Sequence, residues 1–388
     1  METIFYFQIH QPYRLKWLHL QNSKSLEERY LNYQLTEEIF NKVSDKCYLP
    51  ATNILLDLLE EYPDFKIVFS FTGVVLDQAK IFREDVFDTF TALKKYIKTQ
   101  QVEILGETYF HSLSSLFPNY DEFKSQITDH TKLIKKTFNY SPSSFRNTEL
   151  IYNKKISKTA AELGFQSILT EGADDINTDC NFLYNDGNLN LLLRNYKLSD
   201  DIGYRFSSKV WSEYPLTSTK YTNWLSSLNG QFSLIAMDYE TFGEHHWTDT
   251  GIFNFLNTLP KQLLKNKKIN FSTVKETATK FPAKNITINR TVSWADLERD
   301  ESAWLGNEMQ QAAFRKLYSL KEKINPHKDK EVYTMWRKLQ SSDHLYYIST
   351  KSLSDQDVHN YFSPYNSPFE AFINYMNILN DFEKSYLD

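Results

Sequence analysis

The feature that most constrains this chain is an alternation of short apolar segments with amphipathic segments over about 290 residues. The short runs are rich in β-branched and aromatic residues and predict strands, whereas the amphipathic segments predict helices. Such an alternation favours an α/β fold with a parallel sheet and helical connections. An eight-fold or near eight-fold barrel fits the length better than an open doubly wound sheet, which stays as the alternative. The strand candidates are Thr3–Ile9, Lys66–Phe71, Val102–Leu105, the segment around Phe145, Gln166–Thr170, Leu191–Tyr196 and Ser233–Met237.

Between the strand candidates, apolar residues recur at helical spacing. We expect one helix over residues 76–97, because its apolar residues share one face. The Asn- and Asp-rich stretch from 174 to 190 predicts a loop or a hairpin instead. The residues on the shared face are Phe82, Val86, Phe90, Leu93 and Ile97.

From about residue 302 onward the pattern is nearly all helical. Ser367 and Glu370 form a capping-box pattern with Pro368 at the first helical position, which predicts the start of the last helix. We therefore expect a barrel over residues 1–290 and a helical region over residues 291–388 that packs against it. The last helix is expected to bury Phe369, Phe372, Ile373, Met376 and Leu379.

The composition argues against several classes of protein. The chain has 388 residues with 49 acidic and 44 basic side chains, and its net charge of −5 disfavours a nucleic-acid partner. Glycine contributes 10 residues, and neither a G-x-G-x-x-G nor a Walker A pattern occurs, so a glycine-loop nucleotide site is not expected. No apolar run approaches the roughly 18 residues that span a bilayer, so no membrane partner is expected.

The cysteines and the first residues indicate the compartment. Cys47 and Cys180 form no C-x-x-C pattern, so neither a disulfide framework nor a structural zinc site is expected. The first apolar run is short and lacks a basic start, unlike a signal peptide. We expect a cytoplasmic protein.

Polar side chains follow the predicted strands where those strands end. In a parallel barrel such residues meet at one mouth, on the loops that lead into the helices. Aromatic residues make up 15% of the chain, enough to line a groove as well as the core. The strand-end set comprises His10, Gln11, Glu107, His111, Arg146, Glu149, Glu171, Asp238, Glu240, Glu244, His245, His246 and Trp247.

Two chemistries fit a mouth of acids, histidines and aromatic rings. Glycoside hydrolysis needs one ionised carboxylate and one carboxylic acid with a raised pKa. Metal-assisted hydrolysis needs histidine and aspartate at ligand spacing, and neither an H-x-x-x-H nor an H-E-x-x-H pattern occurs. The metal alternative is weakened but open, and we expect no metal or other cofactor.

Short stretches of the chain follow one another in the order of a known set of motifs. They are His10–Pro12, Gln101–His111, Arg146–Glu149, Leu198–Phe206, Met237–His245, Trp294–Asp296 and Ser302–Gln310. Together they resemble glycoside hydrolase family 57, which includes α-amylases and 4-α-glucanotransferases. The resemblance implies a retaining enzyme with an incomplete seven-stranded (β/α) barrel and a helical C-terminal region. It also implies an α-glucan substrate such as starch, glycogen or maltodextrin.

The resemblance implies roles for two carboxyl groups. Glu149 stands at the position of the family nucleophile, and Asp238 at that of the general acid and base. Arg146 is expected to lower the pKa of Glu149, and the apolar strand before Asp238 to raise the pKa of Asp238 by desolvation. The alternatives are an ordinary ion pair of Arg146 with Glu149 and a structural aspartate that caps the next turn.

The remaining candidates are expected to bind the sugar. The histidines of the set bond hydroxyl groups in this interpretation, and Trp247 and Trp304 stack on sugar rings. Asn307 and Gln310 lie one helical turn apart and are expected to face the cleft from the helical region, which would complete the site. The substrate-binding set is His10, Gln11, Glu107, His111, Arg146, Glu240, His245, Trp247, Trp304, Asn307 and Gln310.

These observations favour an α-amylase-type hydrolase that cleaves α-1,4-glucosidic bonds. A 4-α-glucanotransferase uses the same chemistry and differs in whether water or a sugar hydroxyl receives the glucosyl group. A non-catalytic glucan-binding protein and a metal-dependent sugar deacetylase on a similar barrel are the alternatives from other classes.

Overall fold

The computed structural model describes residues 1–18, 25–172, 174–176, 178–324, 329–351 and 363–387. The strands are β1 (Glu2–Ile9), β2 (Ile67–Phe71), β3 (Val102–Ile104), β4 (Ser144–Arg146), β5 (Ser167–Glu171), β6 (Tyr184–Asn185), β7 (Asn190–Arg194), β8 (Phe232–Asp238), β9 (Asn270–Phe271) and β10 (Lys284–Asn285). The helices of the first part are α1 (Leu26–Tyr30), α2 (Tyr33–Val43), α3 (Leu49–Glu61), α4 (Gly73–Phe82), α5 (Glu84–Ala92), α6 (Lys94–Lys98), α7 (Asp121–Phe138), α8 (Lys154–Glu162), α9 (Tyr196–Gly203), α10 (Ser218–Ser227), α11 (Ile252–Leu264) and α12 (Val274–Lys280). Those that follow are α13 (Ser302–Leu305), α14 (Glu308–Ser319), α15 (Lys330–Lys338), α16 (Ser342–Tyr346) and α17 (Pro368–Tyr386).

The sheet has the order of an incomplete parallel barrel. Strands β3, β2, β1, β8, β7, β5 and β4 lie side by side in that order, and each neighbouring pair is parallel. Between the end of β3 and β4, regular pairing gives way to one isolated bridge that joins Gly106 and Phe145. The predicted (β/α) barrel with a helical C-terminal region is confirmed. Strand β6 pairs antiparallel with β7. The stretch from 174 to 190, predicted to be a loop or a hairpin, therefore contributes to a hairpin.

Both faces of the barrel strands are buried. Successive side chains of a strand point to opposite faces, so Ile4 and Tyr6 of β1 join Leu234 of β8 in a cluster inside the barrel. Phe5 and Phe7, between and beside them, pack outward in the cluster that includes the helices α3 and α11. The sequences of these strands are therefore continuously apolar, as is typical of parallel sheets covered on both faces.

The single helix predicted over 76–97 is wrong. The segment forms α4, α5 and α6. The break between α4 and α5 lies at Arg83, which leaves the helical conformation with φ −148° and ψ 84°, whereas Leu93, between α5 and α6, keeps near-helical dihedral angles of φ −57° and ψ −20°. The Arg83 side chain donates to Asp85 and Asp45, and these contacts hold the turn between α4 and α5.

The orientation predicted for the last helix is also partly wrong. Phe369 and Ile373 of α17 are 61% and 52% exposed. Asn374 is buried instead, where its side chain accepts from the Leu18 N–H at 2.9 Å and donates to the Lys16 carbonyl at 2.9 Å. These two hydrogen bonds fix the face that α17 turns inward, because a buried amide must be satisfied.

Candidate active site

Parallel strands deliver polar side chains to one end of the barrel, where their C-terminal ends meet. Arg146, Glu171, Arg194 and Asp238 are the last residues of β4, β5, β7 and β8. His10 directly follows β1. Hydrogen bonds, ring contacts and charge interactions link these strand ends into one polar cluster at the mouth.

Glu149 has hydrogen-bond donors at both carboxylate oxygens. His111 Nε2 lies 3.1 Å and Ser342 Oγ lies 2.8 Å from Oε1, and Trp294 Nε1 lies 2.8 Å from Oε2. The backbone at Glu149 is left-handed, with φ 58° and ψ 25°, which costs a non-glycine residue on the order of 1–3 kcal/mol. The surrounding donors hold the side chain in this strained position.

These donors also determine the charge of Glu149. Burial alone would raise the pKa of the carboxyl, but the hydrogen bond from His111 and the charges of His111 and Arg146 lower it to about 2. Glu149 is therefore ionised at every pH near neutrality.

Asp238, the last residue of β8, has the opposite shift. Burial raises the pKa of its carboxyl to about 6, and the negative charge of Glu149 adds to the rise, while Arg146 and His111 oppose it. The charge of Glu149 therefore influences the protonation of Asp238. At weakly acidic pH Glu149 is ionised and Asp238 is largely protonated.

His111 lies between two carboxylates. Its Nδ1 is 3.8 Å from Glu107 Oε2, an ion-pair contact longer than a hydrogen bond, and its Nε2 contacts Glu149. Burial alone would lower the pKa of His111, but Glu107 and Glu149 raise it to about 9. Glu107 is itself fully buried and also accepts from Gln8 Nε2 at 3.3 Å. The imidazolium of His111 thus supports the ionised form of Glu149.

His10 stacks on His111, with ring centroids 4.0 Å apart. Its Nδ1 lies 3.0 Å from Thr72 Oγ1, and its Nε2 lies 3.1 Å from Asp343 Oδ2. Burial and the nearby charge of His111 lower the pKa of His10 to about 4, so the ring is neutral. A neutral ring that donates from Nε2 to Asp343 accepts at Nδ1 from the Thr72 hydroxyl.

Arg146 is fully buried beside the nucleophile candidate. Its guanidinium carbon lies 5.0 Å from the centre of the Trp294 ring, and Nη1 lies 3.8 Å from Glu107 Oε2. None of its three guanidinium nitrogens forms a hydrogen bond with another residue that the structure describes. A buried guanidinium with free donors can bind the oxygen atoms of a ligand.

The loop after β8 carries a second carboxyl group with a raised pKa. Glu240 is buried and accepts a hydrogen bond from the Tyr48 hydroxyl. Burial and the charge of Asp238 raise the pKa of Glu240 to about 8. Gln11, another member of the predicted set, is buried, and its Oε1 accepts from Arg14 Nη2 at 3.2 Å.

The rest of this loop is tied to its neighbours. Glu244 pairs with Lys42 Nζ at 2.5 Å and with Lys46 at 3.6 Å. Burial lowers the pKa of His245 to about 3, and His246 Nδ1 lies 2.8 Å from Ser207 Oγ. Trp247 is 55% exposed, with the Lys46 ammonium 5.1 Å from the ring centre.

Three predicted substrate-binding residues lie elsewhere. Trp304 is 1% exposed and packs in the apolar core under the helical region, so its ring has no free face. Asn307 and Gln310 form a reciprocal capping box at the start of α14, and Gln310 Nε2 donates to the Ala303 and Leu345 carbonyls. Their polar groups are satisfied within the helical region, which corrects the expectation that they face the cleft.

Several residues of the site carried no role in the prediction from sequence. Trp294 lies in one of the motif-like stretches, which was a usable signal. Ser342 and Asp343 resemble an ordinary helix start at α16 and carry no such signal.

A largely buried network joins two arginines and two carboxylates near the site. Glu171 belongs to the strand-end set and Asp200 lies in a motif-like stretch, whereas Arg194 and Arg299 carried no predicted role. Arg194 donates to Glu171 at 2.9 Å and to Asp200 at 2.6 Å, and Arg299 donates to the same carboxylates at 2.8 and 3.1 Å. Arg299 Nη1 also donates to the Trp294 carbonyl at 3.2 Å. The network therefore anchors the segment that carries Trp294 to the ends of β5 and β7.

In the part of the chain that the structure describes, no three His, Cys, Asp or Glu side chains are grouped so that they could hold a metal ion. A search of the same residues finds no helix that is long and apolar enough to cross a membrane.

Comparisons with known proteins identify the family of this chain. The family model for glycosyl hydrolase family 57 matches residues 4–291. A protein of Methanocaldococcus jannaschii that bears the name "Putative alpha-amylase" is 48% identical over 398 residues, which cover 99% of this chain and 84% of that relative. Most of the chain is thus matched by a family and by a relative of nearly the same extent.

Solved structures share the fold at low sequence identity. A family 57 branching enzyme from Thermococcus kodakaraensis superposes with a TM-score of 0.70 at 13% identity, over 99% of this chain and 89% of that one. A 4-α-glucanotransferase from Thermococcus litoralis superposes with a TM-score of 0.65 at 18% identity. That match covers 89% of this chain but spans only 56% of the transferase. The chain belongs to glycosyl hydrolase family 57.

Proposed function

We propose that this protein is a retaining glycoside hydrolase of the α-amylase type that cleaves α-1,4-glucosidic bonds in α-glucans. The observation that carries the proposal is the protonation contrast between two carboxyl groups of one site. The pKa of Glu149 is about 2 and that of Asp238 is about 6. Double displacement needs such a pair, with an ionised nucleophile and a protonated acid.

In the first step, a lone pair of the Glu149 carboxylate attacks the anomeric carbon and forms an ester bond. The glycosidic bond breaks, its electron pair goes to the leaving oxygen, and that oxygen takes the proton of Asp238. In the second step, Asp238 removes a proton from water, and the water oxygen attacks the same carbon. The ester bond breaks, and its electron pair returns to Glu149.

The α-glucan substrate is supported by the relatives, which are a protein named "Putative alpha-amylase", a branching enzyme and a 4-α-glucanotransferase. Polar groups around Glu149 are suited to bind sugar hydroxyls, and exposed Trp247 is suited to stack on a sugar ring. Ser342, Asp343 and Trp294 contact Glu149 or His10 from beyond residue 290, which supports a cleft completed by residues 291–388. The proposed hydroxyl-binding groups are His10, Gln11, Glu107, His111, Arg146, Glu240 and His245. The proposed mechanism uses no cofactor.

Azide rescue of two variants tests the roles. In Glu149→Ala, azide can take the place of the carboxylate and attack α-maltotriosyl fluoride directly, which gives the β-configured azide. In Asp238→Ala, azide instead attacks the glycosyl-enzyme and gives the α-configured azide. We expect each variant to lose at least ~10³-fold in turnover of maltoheptaose without azide. Products of the same configuration from both variants would contradict the assignment.

The native protein provides the comparison with a non-catalytic glucan-binding protein. If it binds maltoheptaose but releases no reducing ends and no redistributed chains, that alternative replaces the proposal.

The solved transferase with the same fold supports one second candidate, a 4-α-glucanotransferase. The two activities differ in the acceptor of the second step, which is water or a sugar hydroxyl. Incubation with maltoheptaose separates them, because transfer redistributes chain lengths without new reducing ends, whereas hydrolysis adds one reducing end per cut.

A further inference from the structure

The donors around Glu149 are distributed unequally over its two carboxylate oxygens. Oε1 receives two, from His111 Nε2 at 3.1 Å and from Ser342 Oγ at 2.8 Å. Oε2 receives one, from Trp294 Nε1 at 2.8 Å. A carboxylate oxygen offers two lone pairs to donors, so both lone pairs of Oε1 are occupied and one lone pair of Oε2 remains.

From this geometry we infer that Ser342 is a positioning residue that makes Glu149 Oε2 the attacking atom and assists the later departure of the carboxylate. The inference rests on the proposed function, since it assigns the atom within the same double displacement. It adds a residue from outside the part of the chain that the family model matches, which ends at residue 291.

Ser342 is itself fixed in place. Its side chain is fully buried, and its backbone N–H donates to the His111 carbonyl at 2.9 Å. The preceding residue, Ser341, forms a bridge with Ser112, and the following residue, Asp343, accepts from His10 at 3.1 Å. These contacts fix the backbone of Ser342 next to Glu149, and the hydrogen bond to Oε1 sets the direction of the hydroxyl.

The two oxygens have different fates in the reaction. In the first step Oε2 forms the bond to the anomeric carbon, and Oε1 becomes the carbonyl oxygen of the ester. In the second step that bond breaks, the electron pair returns to Glu149, and Oε1 again carries part of the negative charge. A donor to Oε1 stabilises the departing carboxylate, so loss of the Ser342 hydroxyl slows the second step more than the first.

The experiment uses α-maltotriosyl fluoride, whose fluoride leaves without protonation, so that breakdown of the glycosyl-enzyme limits turnover. We expect Ser342→Ala to lower kcat about tenfold, or ~1.4 kcal/mol, and to lower KM in parallel so that kcat/KM changes less than about twofold. The mass of the intact protein should then show accumulated glycosyl-enzyme. Ser342→Thr, which keeps the hydroxyl, should restore kcat.

Ser349→Ala is the matched control, because Ser349 is also buried in the helical region and its hydroxyl accepts from the Lys351 N–H. It should show the native kcat and no accumulated intermediate. The inference is overturned if Ser342→Ala lowers kcat and kcat/KM by one common factor without an accumulated intermediate, or if Ser342→Thr has the same defect. Failure of the native protein to turn over α-maltotriosyl fluoride would instead count against the proposed function.

Discussion

Burial raises the pKa of Asp238 to about 6, and the ionised carboxylate of Glu149 adds to the rise. The interaction has a consequence for the proposed reaction. When Glu149 becomes an ester, its negative charge disappears, and the pKa of Asp238 falls. Asp238 is therefore favoured as an acid before the first step and as a base before the second.

The first prediction concerns the pH dependence of kcat/KM. Asp238 must be protonated in the free enzyme, so we expect kcat/KM for maltoheptaose to fall above about pH 6, approaching tenfold per pH unit. Glu149, with a pKa of about 2, produces no acidic limb near neutrality. Initial rates between pH 4 and pH 9 measure the profile.

A substrate that needs no acid gives the control for this profile. With α-maltotriosyl fluoride the limb near pH 6 should disappear from kcat/KM, because fluoride leaves without a proton. A limb that persists with this substrate would assign the titration to a group other than Asp238.

The second prediction concerns stability and Glu240. Burial and the charge of Asp238 raise the pKa of Glu240 from its ordinary value of 4.5 to about 8 in the folded protein. The stability that this carboxyl contributes is present below about pH 4.5 and is lost as the pH rises through 8. Glu240→Gln stays neutral, so it should avoid a loss of stability on the order of 4 kcal/mol between these pH values.

Urea unfolding at pH 4.5 and at pH 8 measures this difference. The exposed residue Glu37 supplies the control, since Glu37→Gln should lose stability with pH as the native protein does. Equal losses in Glu240→Gln and the native protein would show that Glu240 is already ionised at pH 7.

The third prediction concerns the largely buried network of Arg194, Arg299, Glu171 and Asp200. Arg299→Met leaves the two carboxylates with one arginine, and removing one partner of a buried ion network costs about 3–5 kcal/mol. It also removes the donor to the Trp294 carbonyl, so kcat should fall in the folded variant. Urea unfolding and initial rates measure both effects, with Arg315→Met on the exposed face of α14 as the control. Unchanged stability in Arg299→Met would contradict the network's role.

The fourth prediction separates two tryptophans. Trp247 is 55% exposed and Trp304 is 1% exposed. Trp247→Ala should therefore raise KM for maltoheptaose severalfold with little change in stability, whereas Trp304→Ala should cost about 3–5 kcal/mol of stability and leave KM unchanged. Thermal unfolding and steady-state kinetics distinguish the two, and a reversed pattern would contradict the assignment.

Much of the barrel could be predicted from the sequence, because strands buried on both faces and helices with one apolar face produce distinct local patterns. Strand ends then place Arg146 and Asp238 at one mouth without further information, since parallel strands end on the same side. The motif-like stretches add Glu149 as the partner of Asp238. The prediction of a single helix over 76–97 failed because the break at Arg83 depends on contacts with Asp45 and Asp85 and not on apolar spacing.

The sequence by itself determined the strand order along the chain and the polar strand ends, because each of these follows from neighbouring residues, and the resemblance of its motif-like stretches singled out Glu149 and Asp238. The tertiary structure alone decided that Trp304 lies in the core, that Asn307 and Gln310 cap a helix, and that Ser342 and Trp294 donate to Glu149. The donors lie 193 and 145 positions from Glu149. Hydrogen bonds act over about 3 Å in space. A local sequence pattern therefore cannot predict a hydrogen bond between two residues that only folding brings together.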